Sequence, residues 1–304
     1  FNPKQAQTLW EQVVAFSGYG FNQGHATAYA DVSYRLAYLK THWPAELLCA
    51  RLATHGGFHH QAIYLAEAAR LGIAVRPPHI NHSRAAFSLS PDSSLWMGLS
   101  QVRDLRRAAG KAIIAARRQR PFTDLRDLLA RVELQTKEAV HLIQCGGLDG
   151  LGDSRAALLA ELAGMGQGGS ALQLALPFDQ PPVRSDTDAE RLAWERFVLG
   201  LPVSVTPLDT VAAVPSEVAP LARLPDLTAQ PVAVAGYRLP GWTGGSGFYL
   251  GDGQTFVLAR GNESLKPPAA WQAVMVQGRW RVDAFGTAWL QVDGLTELKN
   301  ERVA

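Results

Sequence analysis

Several things are scarce in this sequence, and each scarcity closes off a class of protein. Only two cysteines occur in 304 residues, Cys49 and Cys145. They lie far apart, match no ligand spacing for a structural metal, and read as buried reduced thiols in place of a disulfide framework. No apolar run approaches the roughly 20 residues that a membrane-spanning helix needs. No basic segment followed by an apolar one stands at the start as a leader. The expectation is a cytoplasmic chain without membrane contact. Residue 1 is Phe1 in place of methionine, which reads as a fragment or a processed piece. Otherwise the composition is ordinary for a globular chain, 47% hydrophobic and 18% charged, and the length suffices for two or three domains.

A net charge of +2 conceals an uneven distribution. Residues 1–160 hold 18 Lys/Arg against 12 Asp/Glu, and residues 161–304 hold 11 against 15. The excess gathers at Arg103, Arg106, Arg107, Lys111, Arg117, Arg118 and Arg120, with only Asp104 among them. Such clusters are either phosphate-binding surfaces or the solvated face of an amphipathic helix, and charge alone does not separate the two.

Periodicity predicts helices over 5–16 and 26–53, the second broken after Trp43 by Pro44. Another spans 59–71 with Gly72 as its stop. An extended stretch at Ile73–Val75 and a hairpin pairing 86–89 with 95–98 follow. Short helices are predicted at 105–119, 123–131, 135–145 and 153–163, with Asp124 and Asp153 as N-caps. A Gly- and Pro-rich linker of roughly 30 residues comes next, then a helix at 187–199. The last eighty residues read as five short strands, 232–237, 247–250, 255–260, 273–282 and 289–292. Turn signals separate them, as in a small barrel or a small sandwich. His55 and His59 are four apart, yet Gly56-Gly57 intervenes and no carboxylate or thiol joins them, so no metal site is expected.

Inside the linker stands Gln173-Leu174-Ala175-Leu176-Pro177-Phe178. An apolar set bounded by glycines and prolines has no core of its own. It reads either as a peptide that fills a partner's pocket, with the Gln173 amide fixing register, or as a short element that packs locally. The pattern Gln173, Leu174, Leu176, Phe178 resembles the peptide with which bacterial DNA polymerases hold the sliding clamp.

Other segments extend that resemblance over nearly the whole chain. Phe16-Ser17-Gly18-Tyr19-Gly20-Phe21-Asn22-Gln23-Gly24-His25-Ala26-Thr27-Ala28-Tyr29-Ala30, continuing through Ser33-Tyr34, Ala37–Lys40 and Pro44-Ala45-Glu46, resembles the fingers signature of the bacterial family C DNA polymerases. That family comprises the DNA polymerase III alpha subunit and its error-prone relatives. Gly72-Ile73, Pro78, Ile80–Ser83, Gly98-Leu99, Ala115–Arg117, Leu142-Ile143, Gly146 and Asp149 resemble its helix-hairpin-helix region, and Leu199-Gly200 and Pro207-Leu208 its approach to an OB domain. Gly57-Phe58 and the chain's ending soon after the barrel lean toward the error-prone branch.

The resemblance implies an α-then-β multidomain fold. Residues 1–84 would be a helical fingers segment, 85–164 a paired helix-hairpin-helix region for DNA, 165–226 a linker with the clamp peptide and one helix, and 227–304 a five-stranded OB-fold barrel. Asn22, Gln23 and His25 would lie near the incoming nucleotide, although capping and packing at a helix start would equally explain Asn22 and His25. The partners implied are primer-template DNA, a single-stranded template, the sliding clamp and the remaining polymerase domains or subunits.

Departures from the family pattern refine those expectations. Where the family has Asn-Lys-Ser-His, this chain has Asn22-Gln23-Gly24-His25, so a neutral amide stands in place of a point charge. The hairpin reads Asp104-Leu105-Arg106 in place of Gly-hydrophobic-Gly, which compromises backbone capture of a phosphate. Arg103, Arg106, Arg107 and Lys111 are expected to compensate through charge, giving weak, salt-sensitive, sequence-independent binding. In the barrel, Trp242 is the best exposed stacking candidate among Trp242, Phe248, Tyr249, Trp280 and Trp289. Arg260, with Arg238, Arg279 and Arg281, is a candidate phosphate contact.

No closely spaced carboxylate pair of the kind that holds two Mg²⁺ ions in a polymerase palm is found, and in the family the palm precedes the fingers. The chain is therefore not expected to polymerise DNA alone. It needs no cofactor of its own, and Mg²⁺ would belong to the missing palm. The alternatives are a non-catalytic adaptor that binds clamp and DNA beside a separate polymerase chain, and an unrelated DNA-binding protein with a fortuitous peptide.

Overall fold

The computed structural model describes residues 2–17, 23–166, 185–243, 245, 247–262 and 265–299. The chain divides into two units, residues 1–47 and 48–304. In the first, α1 (Pro3–Ser17) starts behind Asn2, whose Oδ1 accepts from the Gln5 N–H at 2.8 Å while Gln5 Oε1 accepts from the Asn2 N–H at 3.1 Å. This reciprocal cap satisfies the first orphan donors of the helix. The second helix, α2 (Gln23–His42), has no buried residue. Pro44 then opens α3 (Pro44–Ala53), a position where its missing N–H costs nothing.

The larger unit begins at Leu48 within α3 and continues with α4 (Gln61–Arg70), capped by the His60 ring, which accepts from the Ala62 N–H at 3.1 Å. Gly72 takes φ +73, the left-handed stop that the sequence predicts. The predicted hairpin is present as β2 (Ser88–Leu89) and β3 (Leu95–Trp96), and β1 (Val75–Arg76) adds in parallel on the far side of β3. Four helices follow: α5 (Arg107–Arg117), α6 (Leu125–Arg131), α7 (Thr136–Gln144) and α8 (Arg155–Gly166). Their apolar faces share one core around Ile113, Phe122, Leu128, Leu142 and Leu148, and Val198 of α9 (Asp188–Leu199) joins it.

The caps are partly as read. Asp124 does accept from the Asp127 N–H at 2.8 Å. At α8, Ser154 takes the place assigned to Asp153: its hydroxyl accepts from the Ala157 N–H at 3.0 Å. Asp186 accepts from the Arg155 and Ala156 N–H groups at 3.1 and 2.6 Å, so the helix start is closed by a carboxylate 31 residues further along the chain.

The C-terminal strands are β4 (Pro231–Leu239), β5 (Gly247–Gly251), β6 (Phe256–Arg260), β7 (Ala273–Val282) and β8 (Ala288–Glu297). They close a barrel in the order β4-β5-β6-β8-β7, antiparallel except for β6 beside β8. This is the five-stranded OB-type barrel expected from the sequence. Alternation puts Val234, Phe248, Leu250, Ala259, Val276 and Leu290 inside. At the β7 bulge, Gly278 lies so near β8 that a Cβ would meet the Gln291 carbonyl, so only glycine fits.

A buried ionic knot ties α7, α8 and α9 together. Arg155, 1% exposed, donates from Nε and Nη2 to Asp149 at 2.9 and 2.7 Å, and from Nη1 to Gln144 O at 3.0 Å and Glu195 Oε1 at 2.9 Å. Glu195, wholly buried, also accepts from the Val203 and Ser204 N–H groups at 2.6 and 2.9 Å. Two charges removed from water persist only when their donors and acceptors are matched in this way. Cys49 and Cys145 form no disulfide, and burial pushes the Cys145 thiol up to about 12.

Candidate nucleic-acid interface

The turn before α5 is the place where a hairpin would meet a phosphate. Asp104 holds φ +59, the left-handed conformation that glycine adopts at no cost. Its carboxylate is drawn to Lys137 Nζ at 2.8 Å, and hydrogen bonding to Lys137 holds its pKa below the usual range. Leu105 packs on the helical core, and Arg106 is the N-cap residue of α5.

Arg106 does not face solvent as a free cation. Its backbone N–H donates to Glu138 Oε1 at 2.8 Å, its Nε to the same oxygen at 2.9 Å, and its Nη2 to Glu138 Oε2 at 2.9 Å. Glu138, its side chain 1% exposed, also accepts from the Gln135 N–H at 2.8 Å. Burial alone would raise its pKa, but the bonds from Arg106 and the two backbone groups prevail and hold it at about 2. An internal carboxylate thus occupies the donors that a hairpin would aim at a DNA phosphate. Sequence reasoning passed over Glu138. Its only local signal is its position three residues after Gln135, which reads as a helix cap.

The remaining cations divide between engaged and open. Arg103 lies over the Phe197 ring at 4.6 Å, with its main-chain carbonyl 2.7 Å from His141 Nδ1. Arg107 and Lys111 are exposed one turn apart on α5, beside first-turn N–H groups that carry the positive end of the helix dipole. Arg120 is bound to Asp127 at 2.6 Å. Of the four cations around the hairpin that the sequence assigns to DNA, Arg107 and Lys111 are the open pair, Arg103 is partly engaged, and Arg106 is neutralised.

On the barrel, Trp242 is 69% exposed in the β4–β5 connection and meets Phe58, 73% exposed, edge to face at 5.6 Å. Phe58 was not among the sequence's stacking candidates. Phe248 and Trp280 are buried, whereas Tyr249 and Trp289 are half-buried. The Arg260 guanidinium lies 5.5 Å from the Trp289 ring centre, and Arg260 is exposed next to the inward, buried Ala259, which places it on the outer surface. Arg279 is paired with Asp293 at 2.8 Å, and Arg238 donates to the Pro268 carbonyl.

In the smaller unit, Gln23 is the first residue of α2 and its carbonyl accepts from the Thr27 hydroxyl at 2.8 Å. The His25 ring meets Tyr29 edge-on at 4.5 Å. Asn22 and the peptide residues Gln173, Leu174, Leu176 and Phe178 lie outside the described residues. Among the described residues no group of three or more His, Cys, Asp and Glu converges as metal ligands, and no helix is long and apolar enough to cross a membrane.

A helix-hairpin-helix motif family matches residues 72–158, the stretch from the end of α4 into α8. The DNA polymerase III alpha subunit of Mycobacterium tuberculosis (strain CDC 1551 / Oshkosh) is 33% identical over 238 residues, covering 70% of this chain and 20% of that protein. This chain is homologous to part of the DNA polymerase III alpha subunit. The alpha subunit of Thermus aquaticus is 35% identical over 67% of this chain and 18% of its own length, and that of Treponema pallidum 30% identical over 73% and 21%. The chain thus spans about a fifth of the alpha subunits it matches. Among solved structures, asparaginyl-tRNA synthetase from Pyrococcus horikoshii shares 29% of this chain at 19% identity and a TM-score of 0.23, a likeness too small to carry an argument.

Proposed function

We propose that the chain is the DNA-handling, C-terminal portion of a family C DNA polymerase, with polymerisation carried by palm carboxylates elsewhere. In this reading residues 1–84 form the nucleotide-side fingers segment, 85–164 the helix-hairpin-helix region, 165–226 the linker that tethers the clamp, and 227–304 the OB domain. The observation that carries it is the order of parts. A helix-hairpin-helix region is followed by an OB-type barrel within a chain that matches alpha subunits over 70% of its length.

Duplex DNA meets Arg107 and Lys111 at the start of α5, as exposed phosphate contacts without sequence preference. Single-stranded template stacks on Trp242 and runs past Arg260. Gln173, Leu174, Leu176 and Phe178 dock in the sliding clamp, the aliphatic and aromatic side chains filling a pocket and the amide fixing register. Gln23 and His25, with Asn22, face the incoming nucleotide. Mg²⁺ belongs to the palm.

The test is binding of this chain to primer-template DNA and to the sliding clamp of its own organism. The reading expects both, with clamp binding at micromolar or tighter and lost in Gln173→Ala/Leu176→Ala/Phe178→Ala. A chain that binds neither, or a clamp interaction indifferent to the triple substitution, contradicts it.

A further inference from the structure

At the other end of α5 from the hairpin, cations gather without enough counter-charge. Arg117, in the last turn, is half-buried and donates from Nη1 to the Ile80 carbonyl at 2.7 Å. Burial first, and then repulsion from Arg118 and Arg84, draws its pKa below the ordinary value, and no carboxylate among the described residues offsets them. His82 is likewise drawn down, by burial and then by Arg117 and Arg76. The His82 ring stacks on Trp96 with centres 4.8 Å apart and planes at 30°, and the Arg76 guanidinium lies 5.6 Å from the centre of that indole. His79 is 4.7 Å from His82 and shares its Nε2 with the Asp149 carbonyl at 3.1 Å.

Among the described residues Asp92 and Asp149 come near, and both have other work. Asp92 is 3.8 Å from Arg76, but it accepts from the hydroxyls of Ser90 and Ser94. Asp149 acts on His79, but its oxygens are held by Arg155. A helix C-terminus favours cations, which accounts for Arg117 and Arg118. It does not account for Arg76, His82 and Arg84, which β1 and the turn after it bring to the same spot. Like charges around a half-buried guanidinium raise the energy of the free protein, and an anion relieves it. Guanidinium forks suit the tetrahedral oxygens of phosphate.

The direction of α5 points to a nucleic-acid backbone as the source of that phosphate. Arg107, Lys111 and Arg118 recur at i, i+4 and i+11, one stripe of a helix. Ten residues separate Arg107 from Arg117, about 15 Å at 1.5 Å per residue, which is the axial length of about four phosphates on one strand. We infer that Arg84, Arg117 and Arg118, with Arg76 and His82 at the rim, form a second backbone-phosphate site for the strand that Arg107 and Lys111 contact. This rests on the DNA-binding reading above and adds to it a second grip at the far end of α5.

The test uses Arg84→Gln/Arg118→Gln, both exposed and so without consequence for the core, against a control of equal charge loss, Arg126→Gln/Arg223→Gln. Affinity of the chain for labelled duplex is measured from 50 to 200 mM salt, with thermal unfolding as the check on folding. The site predicts about tenfold weaker binding and a salt slope shallower by about 1.5 in the first variant, with the control close to wild type. Equal losses in both variants, or none in either while wild type binds, overturn the second site and leave the DNA reading standing. A parallel titration with inorganic tripolyphosphate separates the sources. If it stabilises wild type and not the variant while DNA fails to bind, the nucleic-acid assignment falls together with the DNA reading.

Discussion

The backbone N–H and the guanidinium of Arg106 close together on the carboxylate of Glu138. A hairpin that reaches a phosphate through bare backbone is here plugged from inside by a fixed negative charge. With the Arg106 donors held by an internal acceptor, side chains are tolerated at Asp104 and Arg106, where close approach to a phosphate would otherwise favour glycine.

Replacing Glu138 tests that plug through stability. Glu138→Ala leaves the Arg106 and Gln135 N–H groups without their acceptor, at a cost of about 2 kcal/mol in chemical denaturation. The carboxyl titrates at about 2 in the folded chain against an ordinary 4.5, so its contribution is complete above 4.5 and is lost as pH falls toward 2. Wild-type stability minus that of Glu138→Gln should therefore shrink over that window. A difference independent of pH would contradict the pairing.

Asp104 offers a cleaner electrostatic probe. Asp104→Asn keeps a side chain that tolerates the left-handed φ and removes the negative charge beside the proposed DNA contacts. Losing the exposed bridge to Lys137 should change stability little. DNA affinity should rise at low salt and the gain should fade at high salt. Unchanged affinity at every salt concentration would place DNA away from this turn.

The Arg155 knot should be the least tolerant polar position in the helical part. Arg155→Met strands the buried Glu195 carboxylate and should cost about 3 kcal/mol or more, read by denaturant midpoint. A loss within about 0.5 kcal/mol, the range of surface substitutions, would contradict the role.

Trp242→Ala separates stability from binding. At 69% exposure the side chain contributes little to the fold, so the unfolding temperature should hold. Affinity for single-stranded DNA should fall by about 1–3 kcal/mol, the range for a stacked base. Phe58→Ala should weaken the same interaction through the ring that Trp242 leans on. Single-strand affinity insensitive to both would remove the barrel from the template path.

Much of the architecture was legible because its signals are local. Alternating β-branched and aromatic residues between glycine turns give the five strands. Pro44, Gly72 and Asp124 mark helix ends through their own backbone and side-chain chemistry. Where two local candidates compete the sequence is weaker, as with Ser154 capping α8 in place of Asp153. The site was less legible because its decisive contacts are long-range. Glu138 lies 32 residues from Arg106 and Phe58 far from Trp242 in sequence, and no spacing rule connects either pair. A run of arginines also looks uniform in sequence, whereas the fold neutralises Arg106 and Arg120, stacks Arg103 and leaves Arg107 and Lys111 open.

The most direct test of the DNA-handling account is fluorescence anisotropy of a labelled primer-template across salt. It compares the wild-type chain with Arg107→Gln/Lys111→Gln and with Arg106→Gln. The account predicts salt-dependent binding that weakens by about tenfold, with a slope shallower by about 1.5, in the double variant and changes little in Arg106→Gln. The reverse pattern, with Arg106 carrying the affinity and Arg107 and Lys111 dispensable, would contradict it.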